Sequence, residues 1–178
     1  MILRVHFYAD PVLRKQCARI KEITPEIRQF VEDMIETTIH YDGFGFAAPQ
    51  FGRLIRVFVA RQATTLEDGS VELSTPKVYI NPVLSNPAEE KDGMAEGCFS
   101  LPKLLVEVER PISITVEAQD IDGNTFKEEL AGLSAKPIMH ENDHLNGVLT
   151  IDRCSKEERK RIDPFLRELK KQYKHTYT

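Results

Sequence analysis

His140-Glu141-Asn142-Asp143-His144 spells His-Glu-x-x-His in a chain of 178 residues. Side chains four apart on a helix stand one turn above the other, so His140 and His144 can turn both imidazoles toward one metal ion. Glu141 sits beside the first histidine, placed to reach a water at the metal rather than the metal itself. Two histidine ligands and a glutamate general base at this spacing are the pattern of metal-dependent hydrolases. A five-residue motif also arises by chance, so its surroundings decide whether it counts.

Those surroundings predict a helix. Gly132-Leu133-Ser134-Ala135 precedes the motif, with Ser134 as the expected N-cap and Ala135 as the first helical residue. Pro137 then falls in the first turn, where its missing N–H removes no hydrogen bond. Ile138, Met139 and Leu145 supply apolar surface, and Gly147 offers a C-terminal stop. Both histidines would ride on a short, partly buried helix.

A catalytic metal site wants a third protein ligand and an open position. Some zinc peptidases extend the motif to HExxHxxGxxH, but the run from His140 keeps Gly147 and ends in Thr150. Others take a glutamate from a later helix, for which Glu168 is the candidate. Upstream, Cys98 lies in Glu96-Gly97-Cys98-Phe99-Ser100, between the small or turn-forming Asp92-Gly93-Met94-Ala95 and Leu101-Pro102. Its thiolate would be a strong ligand for zinc or ferrous iron. A metallopeptidase cleaving internal bonds and a non-catalytic, metal-stabilised binding protein are the two other readings. The second would want four protein ligands and no adjacent base.

EGCFS at 96–100, HENDH at 140–144 and Gly43-Phe44-Gly45-Phe46-Ala47-Ala48-Pro49-Gln50 together resemble the three signature motifs of peptide deformylases, in order and at similar spacing. Asp10-Pro11-Val12-Leu13-Arg14 and Tyr79-Ile80-Asn81-Pro82 agree, so the resemblance runs from about residue 4 to residue 152. Met139 stands where a glutamine commonly precedes the motif, Pro137 is unusual, and Phe44, Phe46 and Phe99 are bulkier than the usual aliphatics. None of these removes a ligand or the base; they bear on pocket shape. The resemblance implies Cys98, His140 and His144 as ligands of one divalent ion, ferrous iron in the cell, with Zn²⁺ or Ni²⁺ possible in purified protein. It implies that Gly45 hydrogen-bonds the substrate through its backbone, and that Gln50 and the Phe99 backbone N–H form an oxyanion hole. Glu141 would be the base, and the substrates N-formylmethionyl peptides, releasing formate. Phe44 and Pro137 are read as lining an apolar slot for the methionine side chain.

Composition fits one compact catalytic domain over 1–178. Apolar content of 41% and charged content of 29% are ordinary for a globular protein. No apolar stretch is long enough to span a bilayer and no leader is seen, so a cytoplasmic enzyme without membrane contact is expected. Three widely spaced cysteines do not read as a disulfide framework, and Cys17 and Cys154 are expected to pack as small hydrophobes.

The patterning predicts an α+β fold: antiparallel strands around a central metal-binding helix, with an N-terminal and a C-terminal helix. Thr24-Pro25-Glu26 opens the first helix with a cap, a proline and an acidic first turn. Strands are expected over 55–60, 77–84, 106–108, 112–118 and 125–130, with Asp122-Gly123 turning the last pair. Residues 64–74 read as a polar surface loop. The tail, 153–178, carries nine basic residues (Arg153, Lys156, Arg159, Lys160, Arg161, Arg167, Lys170, Lys171, Lys174) against four acidic ones. Asp163-Pro164 is expected to open its helix, with Phe165, Leu166, Leu169 and Tyr173 as one apolar stripe. Its basic face is expected to meet ribosomal RNA through phosphates, without sequence-specific nucleic-acid recognition.

Overall fold

Thr24 caps helix α1 (Pro25–His40), its hydroxyl oxygen accepting from the Ile27 N–H at 3.4 Å, with proline in the first turn. In this computed structural model, which describes residues 1–174, two further α-helices follow, α2 (Ala135–Leu145) and α3 (Lys156–Tyr173). Nine strands lie among them: β1 (Gly45–Ala47), β2 (Val57–Ala60), β3 (Ala63–Thr65), β4 (Val71–Leu73), β5 (Lys77–Ser85), β6 (Lys91–Cys98), β7 (Leu101–Pro111), β8 (Ser113–Gln119) and β9 (Thr125–Ala131). All strand pairs are antiparallel: a five-stranded sheet in the order β1-β2-β5-β8-β9, and two hairpins, β3-β4 and β6-β7. The mixed α and β character and the antiparallel pairing match the sequence-based expectation.

Alternation along β2 explains its uninterrupted apolar run. Val57 and Val59, with Phe46, Val78 and Ile80, pack beneath Phe30, Val31 and Met34 of α1. Phe58 and Ala60 point the other way, with Ala47, Tyr79, Val116 and Ala118, onto Ile138 and Leu145 of α2. The sheet is thus sandwiched between α1 and α2, and a strand covered on both faces has no polar face to show. A third cluster joins Leu104, Val106 and Val108 of β7 to Ile162, Leu166 and Leu169 of α3, with Leu13, Leu149 and Ile151 between them.

Six local expectations need correction. Ser134 does not cap α2: its backbone is already helical, and its hydroxyl accepts from Ala63 N–H at 3.1 Å and donates to Ala63 C=O at 3.2 Å. Residues 64–74 are mostly a short hairpin, turned at Asp68-Gly69, where Gly69 has φ +83°. Asp92-Gly93-Met94-Ala95 is strand, paired along the whole outer half of β7, which is far longer than 106–108. Helix α3 opens not at Asp163-Pro164 but at Ser155, whose Oγ accepts from Glu158 N–H at 3.1 Å; Pro164 lies inside the helix. Ile162, two residues before the proline, and Leu166, two after it, are both buried on one stripe that carries the helix through Pro164, and Phe165 faces solvent instead of joining the stripe. The expectation for 175–178 lies outside the described residues.

Gly147 fixes the chain beyond α2. It takes φ +71°, and a Cβ there would fall 2.5 Å from the Arg14 carbonyl oxygen and 2.7 Å from its carbon. Both the left-handed backbone and the contact demand glycine. Gly147→Ala is therefore expected to cost about 2–4 kcal/mol in urea unfolding; an unchanged midpoint would contradict the packing of α2 against the N-terminal segment.

Candidate metal centre

Helix α2 turns His140 and His144 toward the end of β6, where the regular β6-β7 register breaks between Gly97 and Cys98. The two rings stand 5.0 Å apart, edge to face. Cys98 Sγ lies 3.3 Å from His144 Nε2, and one donor atom from each of Cys98, His140 and His144 lies within 4.8 Å of the others. A tetrahedral ion with sulfur at about 2.3 Å and nitrogen at about 2.1 Å spaces such ligands by roughly 3.5 Å. Thiolate and imidazole are also the donor types that zinc and ferrous iron take. The three residues form a group that fits a single metal ion.

The ring of His140 is oriented from behind. Its Nδ1 lies 3.1 Å from Glu96 Oε2, which leaves Nε2 for the metal side. Glu96 is gripped in turn by Arg110, through Nε at 2.5 Å and Nη2 at 2.9 Å, and Arg110 Nη1 donates to Asp143 Oδ2 at 3.0 Å. All three of these charged residues are buried. Burial alone would raise the Glu96 carboxyl, but its hydrogen bonds to His140 and Arg110 outweigh that and bring it down to about 2. His144 is held neutral: burial, and then the neighbouring His140, push its pKa well below the ordinary value. A neutral imidazole is the ligating form.

Glu141 faces the same side. It is buried, its Oε2 has no hydrogen-bond partner, and burial pushes its carboxyl up to about 7. Gly45 makes room for it: a Cβ on Gly45 would lie 3.0 Å from Glu141 Oε1 and 2.7 Å from the Val59 carbonyl oxygen. Gln50, buried in the 3-10 turn Ala48–Phe51, is fixed at both ends of its amide. Its Oε1 accepts from Ala47 N–H at 2.9 Å, while Nε2 donates to Ser100 Oγ at 3.2 Å and points toward Cys98 Sγ at 3.7 Å. The Phe99 ring stacks on Phe46 with centroids 4.8 Å apart, against Gly43. Phe44, Gly45, Gln50, Cys98, Pro137, His140 and Glu141 all line one cleft of about 860 Å³. That volume lies within the range of small-ligand sites.

The sequence matches the polypeptide deformylase family over residues 2–160. The chain belongs to that family. A peptide deformylase of Psychrobacter arcticus is 39% identical over 170 residues, covering 96% of this chain and 89% of the relative. The crystal structure of peptide deformylase from Thermotoga maritima superposes with a TM-score of 0.78 at 39% identity, covering 87% of this chain and 99% of that one. Peptide deformylase 1B of Arabidopsis thaliana, solved in complex with an inhibitor, gives 0.88 at 31% identity, covering 98% and 93%. Membership in this enzyme family agrees with the motif-based reading.

Within this deformylase the other candidate ligands stand apart. Glu168 is on the outer surface of α3 beside Lys171, and Thr150 is buried outside the group of three. Burial pushes the Cys17 thiol up to about 11 and raises that of Cys154, so both stay protonated. Met139 packs with Ile114 and Ala135, away from the cleft lining. Sequence reasoning quoted Glu96 and Asp143 without giving them work, and passed over Arg110. The signal was there: Leu104, Val106, Val108 and Arg110 alternate inward along β7, and a charge on a buried face requires a partner.

The sign of the Glu96 shift makes this network testable. A carboxyl held at about 2 instead of its ordinary 4.5 contributes stability that is full above pH 4.5 and is lost as pH falls through about 2. In metal-free protein, Glu96→Gln should lower stability by about 3 kcal/mol at pH 7, and the gap should narrow from pH 5 to pH 3. A gap that does not change with pH would remove the charged role of Glu96.

Proposed function

We propose that the chain is a hydrolase that removes the formyl group from the N-terminal formylmethionine of newly made polypeptides. The observation that carries this reading is Glu141: a buried carboxylate with an unpaired oxygen, beside three converging metal donors, at the wall of a largely apolar cleft. Cys98, His140 and His144 would hold one divalent cation, ferrous iron in the cell because one thiolate makes the ion a softer Lewis acid than three imidazoles would. When bound, the ion supplies Lewis acidity and lets water ionise near neutral pH. Helix α2 is then the metal-binding helix around which the strands are arranged.

The protein's own residues do the rest. Glu141 takes a proton from the attacking water, its pKa of about 7 being matched to work near neutrality. As the formyl carbon becomes tetrahedral, its oxygen gains charge, and the Gln50 amide and the Phe99 backbone N–H donate to it. Glu141 passes the proton to the departing nitrogen, so the C–N bond breaks to give formate and a free amine. Backbone groups of Gly45 hold the peptide, and Phe44 and Pro137 flank a slot for the methionine side chain. Residues 1–178 act as one cytoplasmic catalytic unit, with 153–178 as a basic tail directed at the ribosome.

Formate release from formyl-Met-Ala-Ser tests the reaction, and cleavage of an internal bond without formate would assign a metallopeptidase instead. Glu141→Ala should keep its metal and lose at least about a hundredfold in turnover. Cys98→Ser should first change metal content or identity. Metal loss in the first variant, or full metal and activity in the second, would overturn these roles.

Lys160 and Lys171 are exposed on α3, off its buried stripe, and Lys174 is exposed just past its last residue. Reversing all three to glutamate should weaken ribosome co-sedimentation at low salt and leave turnover on a short peptide unchanged. Undiminished co-sedimentation would leave α3 as a docked helix with a solvated face.

A further inference from the structure

Apart from Glu141, the charged side chains around the cleft are paired off, with one exception. Asp42 is held by Arg61 at 2.8 Å, Lys136 by Asp92 at 2.7 Å, and Glu96 by Arg110. Glu141 is the proposed base. Lys103 lines the same cleft, is exposed, and takes no ion pair or side-chain hydrogen bond among the described residues.

Its place in the chain is unusual. Strands β6 and β7 pair residue for residue from Lys91↔Pro111 to Gly97↔Leu105, after which Cys98 pairs with Leu101. Pro102, Lys103 and Leu104 are therefore bulged out of β7 beside Cys98. Leu104 turns into the core under α3, while Lys103 adopts φ +61°, a left-handed conformation that disfavours any residue with a side chain. A glycine would relieve the backbone. The chain instead holds an unneutralised ammonium at the edge of the cleft, in a strained conformation of the kind that clusters at ligand sites.

We infer that Lys103 is a specificity-determining residue: its ammonium binds a carboxylate on the peptide, C-terminal to the methionine seated in the cleft. This rests on the deformylase reading above. The carboxylate is an acidic side chain in the first few residues or the terminus of a short peptide. An ammonium at the edge of a cleft attracts such a group electrostatically, and salt screens the attraction. The gain is modest, because Lys103 stays in contact with water.

The test is kcat/KM for formate release from formyl-Met-pentaalanine amides carrying Asp, Asn or Lys at position two, three or four, together with the unsubstituted peptide as free acid and as amide. Asp should exceed Asn at least threefold at one position, with Lys slowest, or the free acid should exceed the amide; which of these occurs identifies the source of the carboxylate. The preference should vanish in about 0.5 M salt. It should also disappear in Lys103→Gly and reverse in Lys103→Glu, while rates on the Asn or amide peptides stay within twofold. Equal rates across the wild-type series, or a preference that survives both variants, would overturn the inference. Formate from none of the peptides would instead remove the deformylase reading, and this inference with it.

Discussion

Arg110 lies buried between two carboxylates, Glu96 from β6 and Asp143 from α2, and this contact ties the hairpin that carries Cys98 to the helix that carries both histidines. A guanidinium taken out of water is tolerable only when its donors are met, and here Glu96 meets two of them and Asp143 a third. Because the partners come from separate elements, satisfying the charge also fixes their spacing. Asp143 is shared with Arg153 at the root of the tail, through bonds of 3.1 and 2.6 Å, so the network runs from His140 to the segment leading into α3. Removing any one member would leave a buried charge uncompensated, which costs more than the pair contributes.

The chemistry of the cleft follows from that frame. Glu96 sets the His140 ring by its Nδ1, and neutral His144 completes the pair on the next turn. Glu141 lies between them in sequence, in the room that Gly45 leaves, and burial raises its carboxyl while the hydrogen bonds of Arg110 go to Glu96 and Asp143. Gln50 is pinned by Ala47 and Ser100, which fixes the orientation of its amide beside Cys98. Helix α2, the end of β6 and the turn Ala48–Phe51 thus bring His140, Glu141 and His144, Cys98, and Gln50 together, held in register by buried hydrogen bonds.

Much of this was legible in the sequence where burial imposes a period. Helix α1 announced itself through Thr24-Pro25-Glu26, the β8-β9 hairpin through Asp122-Gly123, and β2 through an unbroken apolar run. Strands β3, β4 and β6 were hidden because they are largely exposed and bury no regular face, so Asp68-Gly69, the same turn signal as Asp122-Gly123, was read as part of a loop. The start of α3 was misplaced because proline was read as a first-turn residue, although Ser155-Lys156-Glu157-Glu158 is a capping sequence eight residues earlier. Of the site, the group of Cys98, His140 and His144 was legible from the motifs. The residues that orient them were not, since Arg110 and Glu96 meet only once β6 and β7 pair.

The account depends above all on Cys98, His140 and His144 sharing one ion from which Glu141 stands apart. X-ray absorption at the metal edge, on protein purified without oxygen, reads that shell directly. The account predicts one ion per chain, with one sulfur at about 2.3 Å and two nitrogens at about 2.0–2.1 Å, the same shell persisting in Glu141→Ala. A shell without sulfur, or one that loses a ligand when Glu141 is removed, would contradict it.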